Sequence, residues 1–259
     1  MIVPSRLQEF YRNRPEHAPV EPISEIASAA QRYQRQTGGG SPLGHIPADR
    51  YSEVAVDPRV GSQIGQHYMS MPDYDPRAEQ SYRAFAEETG RQFEFMTGTK
   101  GGLGIDVSVS EEDPYSSPGE MREDVARGRM SVLSTKATGG HPYLDDDTND
   151  MFRAVHDVFG HAGTGRGFDL HGEEAAWMKH SQMYSDRARP AMTSETRGQN
   201  SAMIFNLGGQ DFPEQKVGLL PRQFQNPGNT EFGKRYGRRS AGTGLRRASF
   251  NIGGNLTGT

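Results

Sequence analysis

The 259-residue chain contains no cysteine. That excludes disulfides, thiolate zinc sites, iron–sulfur clusters and cysteine nucleophiles, so any bound metal must be held by histidine and carboxylate. Large apolar side chains are also scarce: Leu, Ile, Val and Phe number 43, about a sixth of the chain. A chain this lean with a high net charge would be disordered, but the formal net charge is only −4. The expectation is a compact core flanked by long polar segments. No apolar run approaches the ~18 residues of a membrane span, so no membrane partner is expected. The start, Met1 to Arg6, lacks a basic-then-apolar signal pattern, and the chain reads as cytoplasmic.

What is present is unevenly spread. From Arg222 to Thr259 there are seven basic residues against Glu231 alone, leaving residues 1–221 with a net charge near −10. This last segment is rich in Gly, Asn, Thr and Ser, with Tyr236 and Phe250 interspersed. It reads as a flexible basic tail, 222–259, of a composition that suits nucleic acid or an acidic neighbour. Residues 1–74, punctuated by Pro and Gly, read as an extended and partly helical N-terminal arm. Residues 75–221 read as the catalytic domain.

Within these spans, Ile23, Ile26 and Ala30 predict a helix over 21–36, and residues 41–75 predict a connection. Asp75-Pro76 opens a stronger helix with Tyr82, Phe85, Ala86, Phe93 and Met96 on one stripe. Residues 105–109 and 130–135 predict short strands around a helix over 118–126. An acidic run, Asp145 to Asp150, predicts the start of a helix that reaches Phe159 and stops at Gly160. Further helices are predicted over 173–185 and 190–205.

The informative stretch is His156-Asp157-Val158-Phe159-Gly160-His161. Residues five apart on a straight α-helix diverge by roughly 140°. The two imidazoles therefore converge only if the helix ends between them, and Gly160 is the expected stop. A zinc-protease motif has its histidines four apart with a Glu in second position; this segment has neither feature. Asp157, Asp145–Asp147, Glu173 and Glu174 are candidates to orient the histidines, and Glu173 and Glu174 equally suit the first turn of a helix.

The segment resembles the iron-binding element of the pterin-dependent aromatic amino acid hydroxylases, His-acidic-apolar-apolar-Gly-His, over about residues 129–205. The resemblance implies a mainly α fold with short β strands (α+β), Fe(II) held by His156 and His161, and a third ligand from a later helix, which the match places at Glu195. Glu173 and Glu174 are the competing carboxylates. Asp157 matches an acidic residue on the pterin side, so a reduced pterin or another two-electron donor is implied as cosubstrate. Where that family has an Arg for its substrate's carboxylate, this chain reads Lys136-Ala137-Thr138.

The strings Gly172-Glu173-Glu174-Ala175-Ala176-Trp177, His180-Ser181-Gln182-Met183 and Thr193 to Ser201 are similar to a group of bacteriophage proteins, as is Gln215 to Pro221. That likeness implies that Arg197, Gln199 and Asn200 belong to the site region with Glu195; these three, Asp157 and Glu174 are the candidate catalytic residues. The expected function is a mononuclear non-haem iron hydroxylase acting on an aromatic or heteroaromatic ring, including a nucleobase or nucleotide in phage DNA modification. A metal-dependent hydrolase and a non-enzymatic phage structural or nucleic-acid-binding protein are the competing readings.

Overall fold

The computed structural model describes residues 19–37, 43–209 and 211–241. These residues are mostly helical with one two-stranded parallel sheet, an α+β arrangement. Helix α1 (Ser24–Thr37) inserts Ile26, Ala30 and Tyr33 into the main core. Helix α2 (Pro58–Ser70) lies inside the expected connection. It is opened by Asp57, whose side chain accepts from the Arg59 N–H. Its buried face includes Gly61 and Gly65, so the apolar stripe is thin in sequence. Those glycines permit close approach: a Cβ on Gly61 would fall 2.1 Å from the Phe205 ring.

Asp75 opens the next helix as its sequence predicts, accepting from the Arg77 N–H. After one tight turn, α3 (Glu79–Thr97) buries Tyr82, Phe85 and Met96. Strand β1 (Asp106–Ser110), α4 (Pro118–Ala126) and β2 (Arg129–Leu133) follow, with the strands paired in parallel from Asp106↔Arg129 to Ser110↔Leu133. Asp145 caps α5 (Asp146–His156) by accepting from the Thr148 N–H.

The expected stop at Gly160 is a correction. The chain continues without a break into a π-helical turn, Asp157–Ala162. Gly160 instead lets that turn lie against α6 (Leu170–His180): an added Cβ would meet Ala176 Cβ at 3.0 Å and its carbonyl at 3.2 Å. A second π turn, Ser194–Gly198, joins α7 (Arg189–Thr193) to α8 (Gln199–Phe205).

The flexible tail expected from residue 222 is likewise corrected for residues 222–241. They form α9 (Arg222–Gln225) and α10 (Glu231–Ala241). Phe232 joins the main core, its ring 5.4 Å from Tyr51 and 4.7 Å from Tyr236, and the Tyr236 hydroxyl donates to Glu53. The two rings lie four residues apart on one helical face, which composition alone does not show. The remainder of the expected nucleic-acid segment, 242–259, lies outside the described residues, as do residues 1–18 of the N-terminal arm. That arm is not separate where it is described, since α1 belongs to the main core and α2 packs with Ala202, Leu220 and Phe224. Among the described residues no helix is long and apolar enough to cross a membrane.

Candidate metal centre

The π turn solves the five-residue spacing that an α-helix cannot. Its wider turn, closed by i→i+5 hydrogen bonds, brings residues five apart back toward one face. His156 closes α5, His161 lies within the π turn, and their rings stand edge to face at 5.2 Å. The third member comes from the first turn of α6. There Asp169 caps the helix by accepting from the His171 and Gly172 N–H groups. Glu173 then projects its two carboxylate oxygens to 3.7 Å from His156 Nε2 and 3.6 Å from His161 Nε2. The three residues form a cluster able to hold a metal ion. Ligand bonds of about 2.1 Å hold neighbouring ligand atoms roughly 3.0–3.4 Å apart, close to the distances at which Glu173 stands from the two rings.

Hydrogen bonds fix which nitrogen of each ring faces the centre. His161 Nδ1 lies 3.1 Å from the Arg166 carbonyl, which can only accept, so Nδ1 carries a proton and Nε2 is the nitrogen turned toward the centre. For His156 the same result comes through a relay. The Gln92 amide N–H group donates to the Met183 carbonyl, leaving its oxygen to accept from His180 Nε2 at 2.8 Å. Burial and the two neighbouring imidazoles push His180 well below the ordinary imidazole pKa, so the ring is neutral and its Nδ1 can only accept. His156 Nδ1 therefore donates to it at 3.2 Å, and His156 Nε2 is left buried without a hydrogen-bond partner. A buried imidazole nitrogen without a hydrogen-bond partner, set beside a carboxylate, suits a metal ligand.

The electrostatics favour a cation at the same point. Burial disfavours a charged His161, yet the Glu173 carboxylate outweighs it and lifts His161 to about 9. Burial alone would raise Glu173, but His161 and His156 hold it well below the usual carboxylate range. Asp157 is raised by burial, against the pull of His161 and His156.

The centre opens on a cavity of about 1180 Å³. His156, Asp157 and Glu173 line it, as do His141, Glu195 and Gln199. Glu195 thus shares the cavity with the metal centre but lies outside the ligand cluster. Its Oε1 accepts from the Tyr82 hydroxyl at 2.5 Å, and its Oε2 from the Gln199 amide at 2.5 Å. Glu173 stands where the sequence match placed Glu195.

Glu174 and Arg197 also come together, away from the cavity. Adjacent residues on a helix point about 100° apart, so Glu174 turns from Glu173 into the core. Arg197 binds it with two hydrogen bonds of 2.6 and 2.8 Å, gives a third to the Phe224 carbonyl, and lies 4.2 Å over the Trp177 ring. These partners make the pair a structural clamp, not a reacting group. Asn200 and Gln199 do line the cavity. Gln92, Tyr82 and His141 are not among the site residues expected from the sequence. A lone Gln or Tyr on a helical stripe carries no signal of its role, and the turn dipeptide His141-Pro142 carries little.

No family model, curated protein or solved structure matches the chain.

Proposed function

We propose that this protein is a mononuclear non-haem iron oxygenase that hydroxylates an aromatic or heteroaromatic ring, a nucleobase being within that class. The observation that carries the reading is the convergence of two Nε2 atoms and one carboxylate, with both rings oriented by buried hydrogen bonds through Nδ1. Two histidines and one carboxylate leave coordination positions open, the donor set of Fe(II) oxygenases, and iron held there would supply O₂ activation. His180 and Gln92 hold His156 in place, and the Arg166 carbonyl holds His161. Phe152 and Phe168 flank the two ligands at 5.8 and 4.9 Å, giving the ring an apolar surface beside them. Hydroxylation requires two further electrons, which a reduced pterin or another two-electron donor would bring. A cavity of about 1180 Å³ exceeds what one drug-sized ligand fills and has room for both molecules.

Anaerobic titration with Fe(II), followed by measurement of O₂ consumption, tests the reading. One Fe(II) per chain, lost in Glu173→Gln and kept in Glu195→Gln, is expected. Turnover with Zn(II) and no O₂ would move the same ligands to a hydrolase with a metal-bound water. No metal uptake at all would sink both.

A further inference from the structure

A second buried constellation lines the same cavity as the metal centre. It begins in the loop before α5, where Gly139 and Gly140 adopt φ of 91° and 83°, the left-handed region that glycine enters freely. This double reversal delivers His141 under the chain. The N–H groups of Tyr143 and Leu144 both donate to its Nδ1, at 3.1 and 2.9 Å. A nitrogen accepting two N–H bonds has no proton, so the neutral ring carries its proton on Nε2. Nε2 therefore cannot be a metal ligand; it is a fixed donor. Its side chain is 1% exposed, it lines the cavity, and Nε2 has no hydrogen-bond partner. Glu195 Oε1 lies 3.2 Å away without forming a hydrogen bond to it.

Glu195 is held just as firmly. The Tyr82 hydroxyl fixes one oxygen and Gln199 the other, and Gln199 is itself anchored by Gln215 Oε1 at 2.6 Å. Each carboxylate oxygen has two acceptor sites, so these contacts leave acceptor capacity on Glu195. The wall thus presents one unused donor next to one underused acceptor, both preorganised by groups that do not themselves need the ligand.

We propose that His141 and Glu195 grip the substrate of the metal centre described above by its polar edge, His141 Nε2–H donating to a carbonyl oxygen and Glu195 accepting from an adjacent ring N–H. The fitting class is a neutral cyclic amide, a ring lactam. A phosphate ester does not fit, because the cavity is bordered by Asp113, Asp146, Asp157 and Glu214 besides these carboxylates. Its guanidinium, on Arg153, is already bound by the Leu133 carbonyl and the Thr138 hydroxyl. The substrate is therefore a free base or similar small ring and not a nucleotide. The reaction rests on the oxygenase reading; the binding rests on this wall alone.

The test uses the full chain loaded with diamagnetic Zn(II), with 2-pyridone as probe, followed by ligand-observed NMR. Binding of 2-pyridone is expected, with 1-methyl-2-pyridone, whose N–H is blocked, and phenyl phosphate each at least tenfold weaker. His141→Asn keeps an acceptor for the two backbone N–H groups but removes the donor. It and Glu195→Gln should each weaken 2-pyridone at least tenfold while Zn(II) stoichiometry is unchanged. Equal affinity for the two pyridones in the wild-type chain would overturn the proposal without recourse to any variant. So would the absence of 2-pyridone binding, or loss of Zn(II) in Glu195→Gln. If the wild-type chain takes up no metal, the metal-centre reading fails while 2-pyridone binding still decides this one.

Discussion

Replacing Glu174 by Gln separates structural from chemical roles in the region around the metal centre. The variant keeps the shape of the side chain and removes its charge. Arg197 would then stay buried, 6% exposed, with the Phe224 carbonyl and the Trp177 face but without a counter-ion. Removing one partner of a buried, hydrogen-bonded pair costs about 3–5 kcal/mol, because the remaining charge is uncompensated. Two charge-assisted bonds of 2.6 and 2.8 Å are affected, which supports the same range. Urea unfolding monitored by circular dichroism should therefore show a midpoint shift equivalent to about 3 kcal/mol at unchanged slope. The double variant Glu174→Met, Arg197→Met should recover part of the loss, since both charges leave together. Metal stoichiometry in native buffer should not change. A loss below about 1 kcal/mol, or a loss of metal from a folded Glu174→Gln, would refute the assignment of this pair as a structural clamp.

Three further outcomes follow from the same packing. Gln92→Leu removes the acceptor that sets the His180 tautomer and so frees His156 to turn; metal affinity measured by chelator competition should fall about 10-fold or more, and an unchanged affinity would remove the relay from the site. Phe232→Ala should lower stability by about 3 kcal/mol, as for a buried core ring; a change within 0.5 kcal/mol, roughly the surface range, would return residues 222–241 to a solvated tail. Lys179 is buried against the Tyr51 ring, and burial pushes its ammonium from 10.5 down to about 8. The unfolded chain binds more protons between those values, so stability should rise with pH from about 8 to 10.5 and be lost as pH falls through 8. Lys179→Met should flatten that rise and add about 3 kcal/mol at pH 7, at 1.36 kcal/mol per unit; an identical pH profile in the variant would show the ammonium to be solvated.

Much of the architecture was legible locally. Asp75 and Asp145 cap the helices they precede because a carboxylate at that position satisfies N–H groups of its own next turn, whatever the rest of the chain does. The helix over 118–126 and the strands around it follow from local pattern in the same way. Helix α2 was not legible, because its buried face uses Gly61 and Gly65, whose value lies in the helix they let approach. Helix α10 was hidden by its charge, since one face of Phe232 and Tyr236 suffices to hold it and composition averages that face away.

The candidate centre divides along the same line. Sequence by itself determined that a metal would have to use histidine and carboxylate, and it singled out His156 and His161 by their setting. It also named every carboxylate in contention. It could not decide among Glu173, Glu174 and Glu195, because that choice depends on where three separate helices put their side chains. The tertiary structure brings Glu173 to the two histidines through particulars: the π turn rotates His161 toward His156, Gly160 admits α6 alongside, and the Asp169 cap aims Glu173 at both rings. Glu174, one residue on, is turned about 100° away into the Arg197 clamp. Glu195 is drawn to Tyr82, Gln199 and His141. Residue type sets which atoms can bind a metal; only packing sets which of them share a centre.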